Sequence, residues 1–165
     1  MNLSNVEQGL LAWAMGLASA ARADADSPPV FTLETTGARV SMHANVGNDD
    51  LPGAHPFVIF GVPNAGKVVG NLYNPVIRAC TSVPVLSGNF SDESSLAIHR
   101  ELTALLSSWF VSGNIAALSA ALTTAGNITC TDLYVQTGQE ARVTNKSGQP
   151  AWQFEQPVKL CLFQN

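Results

Sequence analysis

Apolar residues recur at helical spacing at the start of the chain, and a capping pattern precedes them. Ser4 and Glu7 form the Ser-x-x-Glu pattern of a capping box, in which the serine accepts from the backbone and the glutamate reaches back. Apolar positions three or four residues apart then share one helix face. The pattern predicts an amphipathic N-terminal helix over residues 4–22. Its apolar positions are Leu10, Leu11, Ala14, Leu17, Ala18 and Ala21.

The same segment also has the composition of a secretory signal. Residues 10–20 are largely apolar, and Ala21-Arg22-Ala23 supplies a small-x-small cleavage pattern. A signal needs a positively charged leader, whereas the residues before Leu10 contain Glu7 and no Lys or Arg. We therefore favour the amphipathic helix, which indicates an intracellular protein. The alternative is a periplasmic binding module released by cleavage after Ala23.

Strand patterns follow over residues 30–86. Apolar and polar residues alternate over 39–46, as in a strand with one solvated face, and 30–33 and 56–60 are shorter apolar strands. The segment 72–86 is also extended, but Pro75 and Pro84 lack the N–H that an interior strand donates. We therefore expect the 72–86 segment to border the sheet.

Helical spacing returns over residues 91–124. Ser91, Asp92 and Glu93 provide a cap and negative charge at the start of a helix. Gly113 ends this helix, and Asn114 opens a shorter one that continues through Leu122 and stops at Gly126. The buried stripe of the first of these helices is Ile98, Leu102, Leu105, Leu106 and Trp109.

The last part of the chain, residues 128–163, reads as strands. Residues 128–137 and 140–144 are candidate strands, and Asn145-Lys146-Ser147-Gly148 has the composition of a hairpin turn. A terminal strand carries Trp152 and Phe154 on one face and alternates again after Pro157. Strands and helices do not alternate regularly. The order predicts a single α+β domain, with an antiparallel or mixed sheet and helices packed on one face.

Composition narrows the classes of function. The 165 residues include only 12% charged residues, about half the usual share, and the net charge is −4. Acidic balance and the lack of a Lys/Arg cluster argue against nucleic-acid binding. A charge-poor surface favours protein–protein contact, although a Ser/Thr-rich domain has the same composition. Cys80, Cys130 and Cys161 are expected to be buried free thiols, with a Cys130–Cys161 disulfide as the open alternative.

One segment has the spacing of a phosphate-binding loop. Residues from Gly61 to Lys67 follow an apolar strand with the spacing of a P-loop, whose backbone N–H groups and Lys hold phosphates. Val68 stands where a P-loop has Ser or Thr for Mg²⁺, and Pro75 breaks the helix that should follow. We therefore favour a hairpin or loop between strands, with a nucleotide-binding protein as the minor alternative.

The remaining chemistry is sparse. His43, His55 and His99 are scattered, and no Gly-x-Ser-x-Gly turn accompanies them. His99 and Arg100 are expected to face solvent or a neighbour. Asp49-Asp50 is a candidate cation site, but an ordinary solvated turn explains it better. We predict no catalytic, cofactor-binding or metal-binding residues, and no enzyme.

Three features in this order resemble one family. The first is the opening amphipathic helix, followed by a strand and the Leu-Pro-x-x-x-Pro-Phe-Val pattern over 51–58. The second is Gly-Asn-Leu-Tyr over 70–73, a strand, and the helix entered at 91–93 that carries His99-Arg100. The third is a Gly followed by strands with a Gly-turn, Trp152 and a terminal alternating strand. In these the chain resembles bacteriophage tail-terminator or tail-completion (neck) proteins. The longer connection over 61–70 and the extra helix from Asn114 depart from the simplest members.

The resemblance implies a structural virion protein that is made in the host bacterial cytoplasm and resides in the tail or neck. Such proteins form a homo-oligomeric ring, usually a hexamer, which caps the tail tube and meets the neck or head-completion proteins. DNA passes through the ring without sequence-specific binding, and neither a cofactor nor a membrane is involved. Another virion component, such as a tail tube or head-completion protein, is the nearest alternative.

Overall fold

The computed structural model of the protein describes residues 1–44, 55–85, 93–144 and 148–165. These residues form one compact α+β domain with a mixed sheet and three α-helices, so the predicted fold class is confirmed. The helices are α1 (Leu3–Ala18), α2 (Glu93–Trp109) and α3 (Ile115–Gly126), and a 3-10 turn over Ser112–Asn114 precedes α3.

The described residues contain nine strands in one sheet, in which every pairing is antiparallel except that of β2 with β3. The strands are β1 (Val30–Thr32), β2 (Arg39–Ala44), β3 (Phe57–Gly61), β4 (Lys67–Val69), β5 (Leu72–Tyr73), β6 (Val76–Pro84), β7 (Ile128–Val135), β8 (Gln139–Thr144) and β9 (Pro150–Gln164).

Two long hairpins form the centre of this sheet. In the first hairpin, one arm consists of β3 and β4 and the antiparallel arm consists of β5 and β6. In the second, one arm consists of β7 and β8 and the antiparallel arm is β9. The two hairpins join because β9 pairs with β5 and β6 along one side and with β7 and β8 along the other. The predicted second hairpin is confirmed, although its turn residues 145–147 lie outside the described part.

The expectation that 72–86 borders the sheet is wrong. Strand β6 lies between β3 and β9 and pairs with both. The two prolines are accommodated because Pro75 falls in the break between β5 and β6 and Pro84 is the last residue of β6. Pro75 still contributes its carbonyl, which accepts from the Leu160 N–H at 2.9 Å. A proline therefore marks an end of an interior strand here, not an edge.

Pro157 explains why β7 and β8 are separate strands. Strand β9 continues through Pro157, but the proline has no N–H to donate to the chain beside it. The side-chain amide of Gln156 donates to the Gln136 carbonyl instead, while the Gln136 N–H donates to the Pro157 carbonyl at 3.0 Å. These two hydrogen bonds of Gln136 hold the chain to β9 at the point where β7 ends.

The helix ends differ from the predicted ones. Asn2, not Ser4, caps α1, because its side chain accepts from the Ser4 N–H at 3.0 Å. The helix ends at Ala18, and beyond it Ala21 forms an isolated bridge with Val30. At the end of α3 the left-handed residue is Asn127, so Gly126 is the last helical residue and not the stop.

The core lies between the helices and one face of the sheet. Alternate strand residues such as Val58, Ile77 and Leu160 are fully buried on this face. The α2 residue Trp109 packs there, with ring centroids 6.2 Å from Phe31 and 6.5 Å from Phe60. Helices α1 and α3 cross closely enough that a Cβ on Gly9 would lie 2.7 Å from the Leu122 side chain. The helices therefore cover one face, which leaves the opposite face, termed the open face, carrying alternate residues such as Cys80 and Glu155.

Candidate functional site

The P-loop-like segment does not have the geometry of a phosphate-binding loop. Gly61 ends β3, residues 62–66 cross to the next strand, and Lys67 begins β4. A P-loop instead opens a helix, whose N-terminal N–H groups face the phosphates. The Lys67 side chain is exposed on the strand. The segment is therefore a loop between two strands, as expected, but not a hairpin turn, because β3 and β4 do not pair with each other.

Gly66 has a structural reason to be glycine. Its φ is +56°, in the left-handed region, and its carbonyl accepts from the Asn74 N–H at 2.7 Å. A Cβ added here would lie 2.3 Å from the Asn74 carbonyl oxygen. The glycine lets two backbone segments of the first hairpin approach each other, and this replaces the phosphate-binding role suggested by the spacing.

Glu7 anchors the same loop to α1. Its carboxylate does not close the predicted capping box; it accepts from the Val62 N–H at 3.0 Å. Glu7 is 6% exposed. Burial raises its pKa above the usual value, and the hydrogen bond from Val62 offsets part of that rise. The carboxylate positions the loop, but its charged form is disfavoured by the burial.

A pH dependence of stability follows from Glu7. Because its folded-state pKa is raised, its contribution is fully present below the unfolded pKa and is lost as pH rises through the folded pKa. We expect Glu7→Gln, whose amide oxygen can still accept from Val62, to be more stable than the parent at pH 7 and to lose this advantage at pH 4. Urea unfolding at both pH values measures the difference. The exposed Glu34→Gln is the control, and a Glu7→Gln advantage of equal size at both pH values would contradict the assignment.

His99 is a buried connector. It is fully buried on α2, and its Nε2 lies 2.8 Å from Glu140 Oε2 on β8. Its ring stacks on Trp152 of β9, with a centroid distance of 5.5 Å and an interplanar angle of 24°. The guanidinium of Arg142 lies 4.4 Å from the centroid of the Trp152 ring. His99 therefore faces a neighbour and joins α2 to the second hairpin, while the adjacent Arg100 is exposed.

The other two histidines lie near each other. On the open face of β2, His43 Nε2 is 2.8 Å from Ser41 Oγ, and Phe57 packs edge-on with its ring centroid 6.0 Å away. Burial lowers the pKa of His43, and the nearby His55 lowers it further. Both histidines line a cavity beside β2. A Ser–His pair alone, without an orienting third group among its described neighbours, does not make a catalytic triad.

Metal ligands do not converge in the part of the chain that the structure describes. No group of three or more His, Cys, Asp or Glu side chains there is placed to hold an ion. The candidate pair Asp49-Asp50 lies outside the described residues, as do the predicted cap residues Ser91 and Asp92.

All three cysteines are free thiols. Cys130 is buried, whereas Cys80 and Cys161 are half-buried, so the expectation of burial holds fully for Cys130 only. Burial raises the pKa of Cys80 to about 12, and Glu155, 3.8 Å away, adds to the effect. Burial likewise raises the pKa of Cys130 to about 11. These two thiols stay protonated at neutral pH.

We expect the protonated state of Cys80 and Cys130 to show in their reactivity toward a thiol reagent. Because the thiolate is the reactive form, Cys80 and Cys130 should react slowly with Ellman's reagent at pH 8 in the folded protein. At most one thiol, that of Cys161, should react within minutes, and all three should react in urea. The variant Cys161→Ser should abolish any fast phase. Two or more fast thiols in the native protein would contradict the assigned burial.

Two of the outer strands of the sheet, β8 and β1, lie at opposite ends of it. Among the described residues, β8 has a strand neighbour only on the β9 side, and it is mostly exposed. At the other end of the sheet, β1 is also an outer strand, and only Val30 is bridged beyond it, by Ala21. A groove of about 510 Å³ follows β1 between the end of α1 and the turn after the strand. Leu17, 36% exposed, lines this groove.

The fold is that of a one-domain α+β protein, in whose described part four strands, β1, β4, β7 and β8, have only one strand neighbour. No protein-family profile and no curated protein matches the sequence. Within the described ranges, no single helix has both the length and the apolar character needed to cross a membrane. Only α2 and the segment 112–126 taken together reach that length and composition, and they are bent by 67° at their junction.

Proposed function

We propose that the protein is a structural component of a bacteriophage tail or neck: a tail terminator whose copies close into a ring, cap the tail tube and contact the neck or head-completion proteins. The observation that carries this proposal is that β1 and β8, two of the strands with a single strand neighbour, lie at opposite ends of one sheet in the described structure. The resemblance of the sequence supports the identity of the assembly.

The two outer strands differ, which favours a head-to-tail contact. Strand β1 has three residues and lies along a groove, whereas β8 has six residues and is largely exposed. Contact between two different surfaces is heterologous, and it generates a ring when the rotation between neighbours closes. Outer strands also carry backbone groups that can pair with another chain. The β8 side of one copy would therefore meet the β1 groove of the next.

The surface composition is compatible with extensive contact. With 12% charged residues and a net charge of −4, neighbouring copies repel each other weakly. Two exposed apolar side chains, Val69 on β4 and Phe163 on β9, both pair with the half-buried Leu72 of β5. This second surface is suited to a partner other than the next copy, such as the tail tube. The acidic balance suits a ring through which DNA passes without adhering.

A charge placed in the β1 groove tests the ring contact. Leu17 is already partly exposed, so Leu17→Glu should leave thermal unfolding nearly unchanged while it disfavours burial against a neighbour. We expect this variant to shift the native mass from ring to monomer. Val68→Glu, at an exposed position on β4 outside the groove, is the matched control and should still assemble. Rings formed equally by both variants would contradict the proposed contact.

A further inference from the structure

The β1 groove is acidic where β1 ends. Two carboxylates line it, those of Glu34 after β1 and Glu101 on α2, and no Lys, Arg or His lines it in the described part of the chain. Glu101 accepts from the N–H groups of Thr35 and Thr36, at 2.7 and 2.9 Å, which holds it beside the turn that contains Glu34. Glu34 is exposed, so its carboxylate is accessible to a neighbouring molecule. The groove therefore favours a cation.

Strand β8 carries one cation, Arg142. The guanidinium carbon of Arg142 lies 4.4 Å from the centroid of the Trp152 ring. A guanidinium stacked on an aromatic face keeps its N–H donors in its own plane, where they can reach a carboxylate. The one acidic residue of β8, Glu140, is engaged within its own chain, because its Oε2 lies 2.8 Å from His99 Nε2.

Arg142 and the groove lie on the same side of the sheet. Arg142 pairs in register with Trp152, whose ring stacks on His99 of α2, so Arg142 is on the side that the helices cover. The groove is on this side as well, since Leu17 of α1 and Glu101 of α2 form part of its wall. If the sheets of two copies continue edge to edge with their helices on one side, Arg142 of one copy faces the groove of the next.

The two charges cannot meet within one chain. Strands β2, β3, β6 and β9 lie between β1 and β8 in the sheet. At about 4.8 Å between neighbouring strands, β1 and β8 are roughly 24 Å apart. Arg142 can therefore reach a groove only in another copy. Each copy carries both halves of the pair at opposite ends, as a head-to-tail contact requires.

We propose that Arg142 on β8 of one copy enters the β1 groove of the next and forms an ion pair with Glu34, which fixes the register of the ring contact. This inference rests on the proposed ring and names the residues that pair within it. An exposed ion pair adds little to affinity, but two like charges brought together in a contact are strongly disfavoured. Reversal of one charge should therefore prevent the contact, and reversal of the other should restore it.

Light scattering on two charge-reversed variants and on their mixture tests the pairing. Arg142→Glu alone opposes two carboxylates and Glu34→Arg alone opposes two guanidinium groups, so each variant should show the 17.4 kDa mass of one chain. In an equimolar mixture, every contact between unlike variants is complementary. The mixture should therefore form rings of the same mass as the parent, about six chains, with the two variants alternating.

Lys67→Glu is the matched control. It carries the same charge change as Arg142→Glu at an exposed position on the outer strand β4, outside the groove, and it should assemble alone. All samples are measured under the condition in which the parent assembles, either alone or with tail tubes. Thermal unfolding reports that each variant is folded, and assembly of the mixture excludes misfolding as the reason that each variant alone is monomeric.

The outcomes separate this pairing from the ring itself. Rings formed by Arg142→Glu alone or by Glu34→Arg alone, or a mixture that stays monomeric while the parent forms rings, would overturn the pairing and leave the ring. A defect in Arg142→Glu without one in Glu34→Arg would place Arg142 against another surface, such as β8 of a second copy, and would also overturn it. A parent that never assembles would instead contradict the proposed function.

Discussion

Gly66→Ala is expected to destabilise the protein by about 3 kcal/mol or more, because it combines a conformational penalty with a steric one. The left-handed backbone at φ +56° disfavours any side chain by about 1–2 kcal/mol. In addition, the new Cβ would lie 2.3 Å from the Asn74 carbonyl oxygen and 2.7 Å from the Pro75 nitrogen. Both are backbone atoms of the same hairpin, so relief requires that the strands separate. Urea unfolding followed by circular dichroism measures the effect.

Gly70→Ala separates these two penalties. Gly70 has a nearly identical φ of +53°, but nothing lies within 4 Å of a Cβ built on it. We expect this variant to lose only the conformational part, about 1–2 kcal/mol. Equal losses for the two glycine variants would contradict the close approach at Gly66, and with it the structural explanation of the P-loop-like spacing.

Trp109→Ala is expected to cost about 3–5 kcal/mol, as for other buried aromatic residues that are truncated in a core. Trp109 is 3% exposed and contacts the rings of both Phe31 and Phe60, so it joins α2 to β1 and β3. Its removal leaves a cavity between α2, β1 and β3, which these three elements cannot fill by moving closer to one another. Thermal and urea unfolding should both show the loss.

Two further variants bracket the Trp109 prediction. Trp109→Phe keeps an aromatic ring in the core and should lose less than half of what the alanine variant loses. Val111→Ala changes a residue that is 46% exposed two positions later, and it should alter stability by no more than about 0.5 kcal/mol. A Trp109→Ala protein as stable as Val111→Ala would contradict the assigned core.

Local periodicity predicted most of the elements, because burial on one face leaves a direct trace in the sequence. The stripe on α2 contains Leu102, Leu106 and Trp109 as predicted, and the alternation on β2 marks a real strand. His99 lies on the same stripe at helical spacing, so its burial could have been predicted had a polar residue been admitted there. Glu7 likewise lies three positions before Leu10, on the buried face of α1, but the capping-box pattern led to the prediction that it caps the helix.

The errors arise where a residue acts through a distant partner. Glu7 meets Val62, 55 positions away, and no local pattern distinguishes this contact from a capping box. Pro75 and Pro84 led to the prediction of an edge strand, because the local sequence does not show that both prolines lie at strand ends. The cavity beside β2 could not be predicted, since residues 22–29 and 39–44 become neighbours only when the chain folds. Two helix caps lie one or two residues from their predicted positions, because Asn2 caps α1 instead of Ser4 and Asn127 ends α3 instead of Gly126.

The native mass of the purified protein tests the central claim of self-assembly most directly. Light scattering after gel filtration, with negative-stain imaging of the peak, should give about six times the 17.4 kDa of one chain and show rings, either alone or once tail tubes are added. A protein that remains a 17.4 kDa monomer both alone and with tail tubes would contradict the ring, and with it the proposed tail-terminator function.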